Sequence, residues 1–419
     1  MGSGPRLLLL LPSTTYRAAA FVEAARRLDI ELTVASDHTS VFAGQQPERL
    51  ATFDFANPAR AAGQAAAFAA RHPVAAVVGV DDDTAILAAT IAEALGLPHN
   101  PIGATLAARD KHLQRVALSG AGVPVPRFQV HRLGEDPRAA AQDAAYPCVL
   151  KPLCLSASRG VIRADGPEAF VAAHRALSGI LGAPEVAARG EESRRILVES
   201  FVRGPEFALE GLLDGGRLRV LALFDKPDPL DGPCFEETIY VTPSRLGGAA
   251  QRTLAGCAER AALALGLVTG PVHAELRLND AGPWLIELGA RPIGGRCSQV
   301  LRFGRGPDAL SLEELLLRHA LGQPVPTFER EPEAVGVMMI PVPGAGVLRG
   351  VRGVDAARGV AGIQDVAITA HLGQRLVPLP LGAQYPGFIF ARGERAAEVE
   401  AALRRAHACL EFDLATDGD

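Results

Sequence analysis

The first hundred residues alternate between strand-like and helix-like runs of apolar positions. Continuous apolar runs at Leu7–Leu11 and Val74–Val80 are typical of buried parallel strands, and another strand is predicted at Glu31–Ala35. Alanine-rich stretches predict helices at Tyr16–Leu28 and Thr84–Leu95. This order of strands and helices predicts an open, Rossmann-like parallel sheet.

Two alternating segments, Val272–Leu278 and Trp284–Gly289, predict a β-hairpin because five residues of turn chemistry separate them. If the turn is centred on Ala281, Glu275 pairs directly with Glu287. Like charges at paired positions destabilise a sheet, and a cation between the two carboxylates relieves that repulsion. Mg²⁺ suits such a site because it prefers a small number of hard oxygen ligands.

Each face of this hairpin has its own character because side chains alternate along a strand. The face with both glutamates also carries His273 and Arg277. A solvated face, with Arg277 offsetting the charge, is therefore an equal alternative to a metal site on the hairpin alone. The opposite face is predicted to lie in the core and holds Val272, Ala274, Leu276, Trp284, Ile286 and Leu288.

Further along, the pattern predicts a mixed α and β organisation. A helix is predicted from Arg109 to about Ser119, followed by a run of short strands and turns to about residue 325. Strands at Val335–Ile340 and Gly387–Ala391 and a closing amphipathic helix from about Glu394 to Leu410 form the last, α+β region. The predicted units are residues 1–104, residues 105–325 with a lid at about 124–200, and residues 326–419.

Composition narrows the function classes. The formal net charge of -5 gives no basic field, so a nucleic-acid partner is not expected. The six cysteines are scattered without a paired motif, which favours free thiols in a reducing compartment. No segment has the roughly 18 consecutive apolar residues of a membrane span, so no membrane partner and a cytoplasmic location are expected.

A loop of small residues follows the predicted strand Tyr146–Leu150. It runs from Leu153 to Gly160 directly after Lys151-Pro152 and precedes another strand. The N–H and hydroxyl groups of such a loop can fold over phosphates, with Lys151 and Arg159 as counter-charges. Surface hairpin loops often have the same composition, so the loop alone does not decide the function.

Taken in order, these segments resemble the ATP-grasp superfamily over about residues 105–300. The resemblance implies a central ATP-grasp fold behind an N-terminal Rossmann-like domain, with ATP as the cofactor. It implies two lysines on the nucleotide, a loop that closes over the phosphates, a hinge that meets the adenine and an acid that holds the ribose. In that order, the matching residues are Lys111 and Lys151, then Ser156, Ser158 and Gly160, then Glu199, Phe201 and Val202, and finally Glu206.

The same resemblance matches Glu275 and Glu287 to the two metal-binding glutamates, with Mg²⁺ as the metal and Mn²⁺ as an acceptable substitute. It implies that ATP activates a carboxylate as an acyl phosphate, which a nucleophile then attacks. Phosphoryl transfer needs positioning and charge neutralisation, and Lys151, Arg159 and Arg291 would supply these as catalytic residues.

The stretch Glu287–Arg296 resembles the amino-acid ligase branch of the superfamily. It departs from the superfamily pattern at Gly289, where many members have an Asn ligand. The branch implies a small-molecule carboxylate and an amine as substrates, with an amino acid among them, joined by an amide or peptide bond. The substrate contacts it implies are at His273, Arg291, Gly294, Gly295 and Glu237.

Other interpretations remain open for several of these residues. A strand histidine with satisfied hydrogen bonds is an equal alternative for His273, and a solvated surface is one for Glu237 and Lys226. Asp81–Asp83 are predicted to cap the following helix rather than to bind substrate. A biotin-carboxylase-like carboxylase is less well supported, because Ile293–Arg296 stands where that family has its bicarbonate base. A catalytically silent ATP-binding protein is also less well supported, and a homodimer is left open as the assembly.

Overall fold

A computed structural model describes residues 4–13, 15–40, 42 and 44–415 of the chain. Its strands are β1 (Arg6–Leu10), β2 (Glu31–Ser36), β3 (Leu50–Thr52), β4 (Ala76–Gly79), β5 (Phe128–Arg132), β6 (Cys148–Pro152), β7 (Ile162–Ala164), β8 (Arg195–Ser200), β9 (Glu206–Asp214), β10 (Arg217–Lys226), β11 (Ile239–Thr242), β12 (Gly270–Asn279), β13 (Gly282–Gly289), β14 (Arg302–Phe303), β15 (Leu310–Ser311), β16 (Ala334–Met339), β17 (Gly346–Arg352), β18 (Ile363–Ile368), β19 (Arg375–Leu376), β20 (Gly387–Gly393) and β21 (Glu411–Ala415).

The helices connect and cover these strands. They are α1 (Ala18–Arg27), α2 (Pro58–Ala69), α3 (Asp82–Ala94), α4 (Ile102–Arg109), α5 (Lys111–Gly120), α6 (Pro137–Asp143), α7 (Pro167–Leu181), α8 (Pro184–Ala187), α9 (Gly248–Leu265), α10 (Leu312–Ala320), α11 (Val354–Arg358) and α12 (Ala396–His407). Short 3₁₀ helices lie at Gly190–Arg194, Cys297–Val300 and Gly306–Asp308.

The N-terminal sheet is parallel, with the strand order β3-β2-β1-β4. Leu7 and Leu9 of β1 pack in one buried cluster with Phe21 of α1, whereas Leu8 and Leu10 pack in another with α2 and α3. Both faces of the central strand are therefore covered, which is why its apolar run is continuous. The predicted Rossmann-like parallel sheet is confirmed.

An eight-stranded antiparallel sheet forms the centre of the molecule, in the order β13-β12-β9-β10-β11-β16-β20-β18. Helix α9 covers one face, where Cys257 and Ala261 pack with Leu209, Leu276 and Leu285. β11 pairs with β16, so strands from the predicted third unit continue the sheet of the second. A smaller antiparallel sheet, β5-β8-β6-β7, has its own core around helix α7 and lies within the predicted lid.

The prediction of only short strands and turns up to residue 325 is wrong. That stretch contains α7, with 15 residues, and α9, with 18 residues. Both helices bury small side chains against a sheet, including Ala173 of α7 and Ala258 of α9. Alanine has the highest intrinsic helix propensity, so the alanine-rich segment of α9 is locally consistent with its helical state.

The hairpin of β12 and β13 has the predicted register at its functional end and a different one at its turn. Glu275 pairs with Glu287, as predicted. Beyond a bulge next to Glu275, Arg277 pairs with Trp284. The turn is tight because the Asn279 side chain accepts a hydrogen bond from the Ala281 N–H, and the bulge then restores the register of the glutamates.

Because of this bulge, the side chains of β13 that lie in the core differ from the predicted ones. Leu285 is fully buried with Leu276 and Leu288, while Trp284 and Ile286 are only partly buried. The prediction that Trp284 and Ile286 lie on the core face is therefore wrong, because the extra residue moves both out of the simple alternation.

Two further sequence expectations concern the whole chain. The six cysteines are free, as predicted. Among the helices that the structure describes, none combines the length and the hydropathy needed to cross a bilayer.

Candidate active site

A cavity of about 400 Å³ lies where the parallel sheet, the lid sheet and the eight-stranded sheet meet. Its lining includes Asp82 from the N-terminal unit, Lys151 and Ser156 from the lid, and Glu275 and Glu287 from the hairpin. Residues from the first predicted unit, from the lid and from the rest of the second unit thus share one cavity.

Lys226, at the end of β10, lies at the centre of an acidic cluster. Its ammonium donates hydrogen bonds to Glu206 at 2.7 Å, to Glu237 at 2.7 Å and to Glu275 at 3.0 Å. The Tyr240 hydroxyl also donates to Glu237, at 2.6 Å. Lys226 is buried, so the solvated-surface interpretation of Lys226 is wrong.

These contacts fix the charges of the cluster. Burial alone would lower the pKa of Lys226, but the three carboxylates raise it well above its usual value. Burial would raise the pKa of Glu275, but Lys226 and His273 hold it well below its usual value. Burial raises the pKa of Glu237 in spite of Lys226, and the charge of Glu275 raises it further. Glu275 is therefore an anion at neutral pH, whereas Glu237 takes up a proton more readily than Glu275 does.

Glu287 meets a second ammonium group. Its Oε1 atom lies 3.1 Å from Nζ of Lys111, at the start of α5. The same ammonium donates to the carbonyl of Leu155 in the lid loop, at 3.1 Å. Asp110 caps α5 by accepting from the N–H groups of His112 and Leu113. The cap and the helix start thus place Lys111 between the hairpin and the lid.

Lys151 and Glu199 form a buried pair between neighbouring lid strands. Lys151 Nζ lies 2.7 Å from one oxygen of Glu199, and Arg115 of α5 donates to the other oxygen at 2.5 Å. Burial would raise the pKa of Glu199, but these two cations lower it to about 2. Arg115 also donates to the carbonyl of Ile286, the residue next to Glu287. Arg115 therefore links Glu199 of the predicted hinge to the hairpin.

The predicted hinge follows β8 and is held by Arg277. Arg277 donates to the Val202 carbonyl at 2.6 Å and to Glu206 at 2.9 Å, and its guanidinium lies over the Phe201 ring at 5.0 Å. The rings of Phe201 and Phe235 lie 6.3 Å apart on the same side of the cavity. Both oxygens of Glu206 are engaged, one by Lys226 and one by Arg277.

The predicted phosphate loop divides into two parts. Ser156 and Ser158 line the cavity. Arg159 and Gly160 lie outside its lining, because Arg159 Nε donates to the Leu381 carbonyl at 3.0 Å and the Gly160 N–H donates to the Pro380 carbonyl at 2.9 Å. The structure thus holds the far side of the loop against residues 380–381 and does not bring Arg159 to the other predicted site residues.

The predicted substrate residues His273, Glu237, Arg291, Gly294 and Gly295 all line the cavity. His273 lies between two carboxylates, with Nδ1 at 3.7 Å from Glu210 and Nε2 at 3.9 Å from Glu275. Burial would lower its pKa, but both acids raise it. Nδ1 of His273 has no partner within hydrogen-bond distance among the described residues, and its role in the site stays a prediction.

Asp82 is a site residue that the sequence pattern did not identify. Of the three aspartates predicted to cap α3, Asp81 alone does so, by accepting from the Thr84 N–H at 2.8 Å. Asp82 instead accepts from Arg291 Nε at 2.8 Å across the cavity. The contacts of Lys226 and Arg277 were not predicted from the sequence, because their partners are distant along the chain.

Three protein-family models match the chain. They are an ATP-grasp domain at residues 144–300, an ATP-grasp N-terminal domain at residues 22–99 and the L-amino acid ligase C-terminal domain 2 at residues 338–415. A solved L-amino acid ligase from Bacillus licheniformis is 26% identical with a TM-score of 0.82, and the match covers 99% of this chain and 100% of that one. The chain belongs to the ATP-grasp superfamily, on its amino-acid ligase branch.

Curated relatives of this ATP-grasp chain differ in the share of their own length that the match covers. The uncharacterized protein y4rH of Sinorhizobium fredii is 24% identical over 99% of this chain and 84% of its own length. The alanine–anticapsin ligase of Bacillus subtilis is 29% identical over 57% of this chain and 53% of its own length. The match therefore spans about half the length of that ligase.

The donor set of this ATP-grasp site shows where a divalent metal fits. Glu206, Glu237 and Glu275 offer oxygen atoms within 4.8 Å of one another, but Lys226 already bonds all three. Glu275 and Glu287 instead pair directly across the hairpin, and each has one oxygen close to a lysine ammonium. Two hard carboxylates beside the cavity suit Mg²⁺, so the hairpin pair fits the metal better than the Lys226 cluster.

Proposed function

We propose that this chain is an ATP-dependent carboxylate–amine ligase that forms an amide or peptide bond through an acyl phosphate and releases ADP. The proposal rests on three groups of residues that line one cavity. These are Lys111 and Lys151, the glutamate pair of the hairpin, and the predicted substrate residues His273 and Arg291. Phosphoryl transfer to a carboxylate needs this combination of positioned cations and a shielded acceptor site.

ATP would bind between the lid sheet and the eight-stranded sheet. The hinge at Phe201 and Val202 offers an aromatic ring and backbone groups for the adenine. Lys111 and Lys151 would meet the phosphates, and each is already held by an acid at the cavity wall. The N–H and hydroxyl groups at Ser156 and Ser158 would cover the phosphates. Arg159, which lies outside the cavity lining, is not included in this assignment.

Glu275 and Glu287 would hold Mg²⁺, or Mn²⁺ in its place, beside the phosphates. The metal would neutralise charge on the phosphate oxygens when bound. The low pKa of Glu275 supports this assignment, because a ligating carboxylate must be ionised. Glu206 would not compete for the metal, because Lys226 and Arg277 engage both of its oxygens.

The carboxylate substrate would lie at the Arg291 end. The guanidinium of Arg291 and the N–H groups near Gly294 and Gly295 can bind the carboxylate and stabilise the charge that develops during attack. Glu237 is the best-placed group to accept the proton of the incoming amine, because its pKa is raised and it lines the cavity. Similarity to an L-amino acid ligase and to an alanine–anticapsin ligase supports an amino acid as one substrate.

The test is a screen of amino-acid pairs with Mg²⁺ and ATP, read as ADP and phosphate release. We expect release only when both a carboxylate and an amine substrate are present. Release of AMP and pyrophosphate would exclude the acyl-phosphate route. Nucleotide binding without turnover for any pair would favour a silent ATP-binding protein. The predicted cytoplasmic location and homodimer stay predictions.

A further inference from the structure

The turn between β4 and α3 brings the N-terminal unit to the active site. A Cβ atom on Gly79 would lie 2.3 Å from the Thr84 carbonyl oxygen, so the close approach of α3 to the end of β4 requires glycine there. Asp81 caps the helix, and Asp83 pairs outward with Arg109 at 2.6 Å. The carboxylate of Asp82 is therefore left for the cavity that it lines.

The carboxylate of Asp82 lies where a side chain at position 289 would lie. A Cβ atom on Gly289 would be 2.9 Å from Oδ1 of Asp82, closer than real Cβ atoms approach an oxygen. The other oxygen, Oδ2, accepts from Arg291 Nε at 2.8 Å. Gly289 thus leaves the space that this acid fills, two residues beyond Glu287 and two before Arg291.

Three acidic residues attract the guanidinium of Arg291. Its guanidinium interacts electrostatically first with Asp82 and then with Glu287 and Glu275. Without Asp82, the two glutamates of the hairpin, which line the same cavity, would be the charges that attract it. An arginine drawn to those glutamates would compete with a divalent cation for the same oxygens.

We infer that Asp82 is a positioning residue, which enters the space left by Gly289, holds Arg291 at the carboxylate end of the cavity and keeps it away from Glu275 and Glu287. The N-terminal unit would then complete the active site instead of only packing against it. The inference rests on the proposed function for the role of Arg291, but the Asp82–Arg291 contact and its effect on metal binding can be tested without turnover.

The experiment compares Asp82→Asn with Asp83→Asn as the matched control. The control removes one charge from the adjacent residue, which faces outward. Mn²⁺ is titrated by EPR in the presence of ADP, and kcat and the KM for ATP are measured with a substrate pair from the screen. We expect Asp82→Asn to weaken Mn²⁺ binding and lower kcat by about 10- to 100-fold, as for other residues that orient ligands, with the KM for ATP changed less than about twofold. Asp83→Asn should match the wild type in all three.

A second arm tests the shared space. Gly289→Ala adds one methyl group against Asp82 and should lower kcat in the wild-type background. In the Asp82→Ala background the same methyl group meets no carboxylate, so Gly289→Ala should cause no further loss. The comparison of Gly289→Ala with the wild type needs no Asp82 variant, so it still tests the shared space if Asp82→Asn folds poorly. Melting temperatures are recorded for all variants.

Two results would overturn the inference. One is Mn²⁺ affinity in Asp82→Asn equal to that of Asp83→Asn. The other is an equal, multiplicative loss from Gly289→Ala in both backgrounds. If the wild type shows no turnover with any pair, the ligase proposal fails, and the Mn²⁺ titration still decides the role of Asp82.

Discussion

At the residue scale, the acids of the site differ in the cations they meet. Glu275 has Lys226 at 3.0 Å, and Glu287 has Lys111 at 3.1 Å. A buried carboxylate without a partner would be protonated, and a protonated carboxylate is a poor metal ligand. Lys226 therefore keeps Glu275 ionised where it faces Glu287 across the hairpin.

The metal assignment predicts the effect of neutralising either glutamate. Glu275→Gln or Glu287→Gln keeps the shape of the side chain but removes a charged ligand. We expect turnover to fall by about two orders of magnitude or more, with circular dichroism and melting temperature close to the wild type. A well-folded Glu287→Gln enzyme with normal kcat would contradict the assignment of the metal to this pair.

Lys226→Met tests the acidic cluster. Removing the ammonium leaves Glu206, Glu237 and Glu275 close together, so we expect a loss of about 3–5 kcal/mol in the free energy of unfolding at pH 8. Lys226 lowers the pKa values of Glu237 and Glu275, so both would rise in the folded variant. The folded state would then bind more protons and regain stability as the pH falls toward 5.5. The measurement is urea unfolding at both pH values, and an equal deficit at each would contradict this account.

At the element scale, the hairpin shows what local pattern can predict. The pairing of Glu275 with Glu287 followed correctly from alternation, although the turn itself is one residue out of that register. The bulge could not be predicted, because it depends on the Asn279 turn and on Arg115, which binds the Ile286 carbonyl from α5. A local pattern contains no information about such distant partners.

Strands β6 and β8 and helix α5 are joined by the buried Glu199 with Lys151 and Arg115, and this junction should depend on pH. The pKa of Glu199 falls from its ordinary 4.5 to about 2, so its contribution is fully present above pH 4.5 and is lost as the pH falls toward 2. We expect Glu199→Gln to lose about 3 kcal/mol of unfolding free energy at pH 7 and clearly less at pH 3.

The check is urea unfolding of Glu199→Gln and the wild type at the two pH values. Glu191→Gln is the control, because Glu191 is half exposed and pairs with Arg132 at the surface. We expect it to change the free energy of unfolding little at either pH. A deficit of Glu199→Gln that does not shrink at pH 3 would show that the lost stability is not linked to ionisation of Glu199.

At the scale of the whole molecule, the site is made where separate units meet. The order of lysines, loop, hinge and glutamates along the chain was enough to predict the ATP-grasp fold, and all the predicted site residues except Arg159 and Gly160 line the cavity. Contacts between units were not predictable in this way. Arg159 was expected in the site but reaches residue 381, and Asp82 was expected only at a helix start but reaches Arg291.

The central claim is that ATP activates a carboxylate as an acyl phosphate in this cavity. The most direct measurement uses the amino-acid pair with the highest ADP release, with ¹⁸O in the carboxyl group of the substrate that is activated. Attack of the amine on an acyl phosphate leaves one labelled oxygen on the phosphate. We therefore predict one ¹⁸O atom in the released inorganic phosphate by mass spectrometry. Unlabelled phosphate, or label found in AMP, would contradict the account.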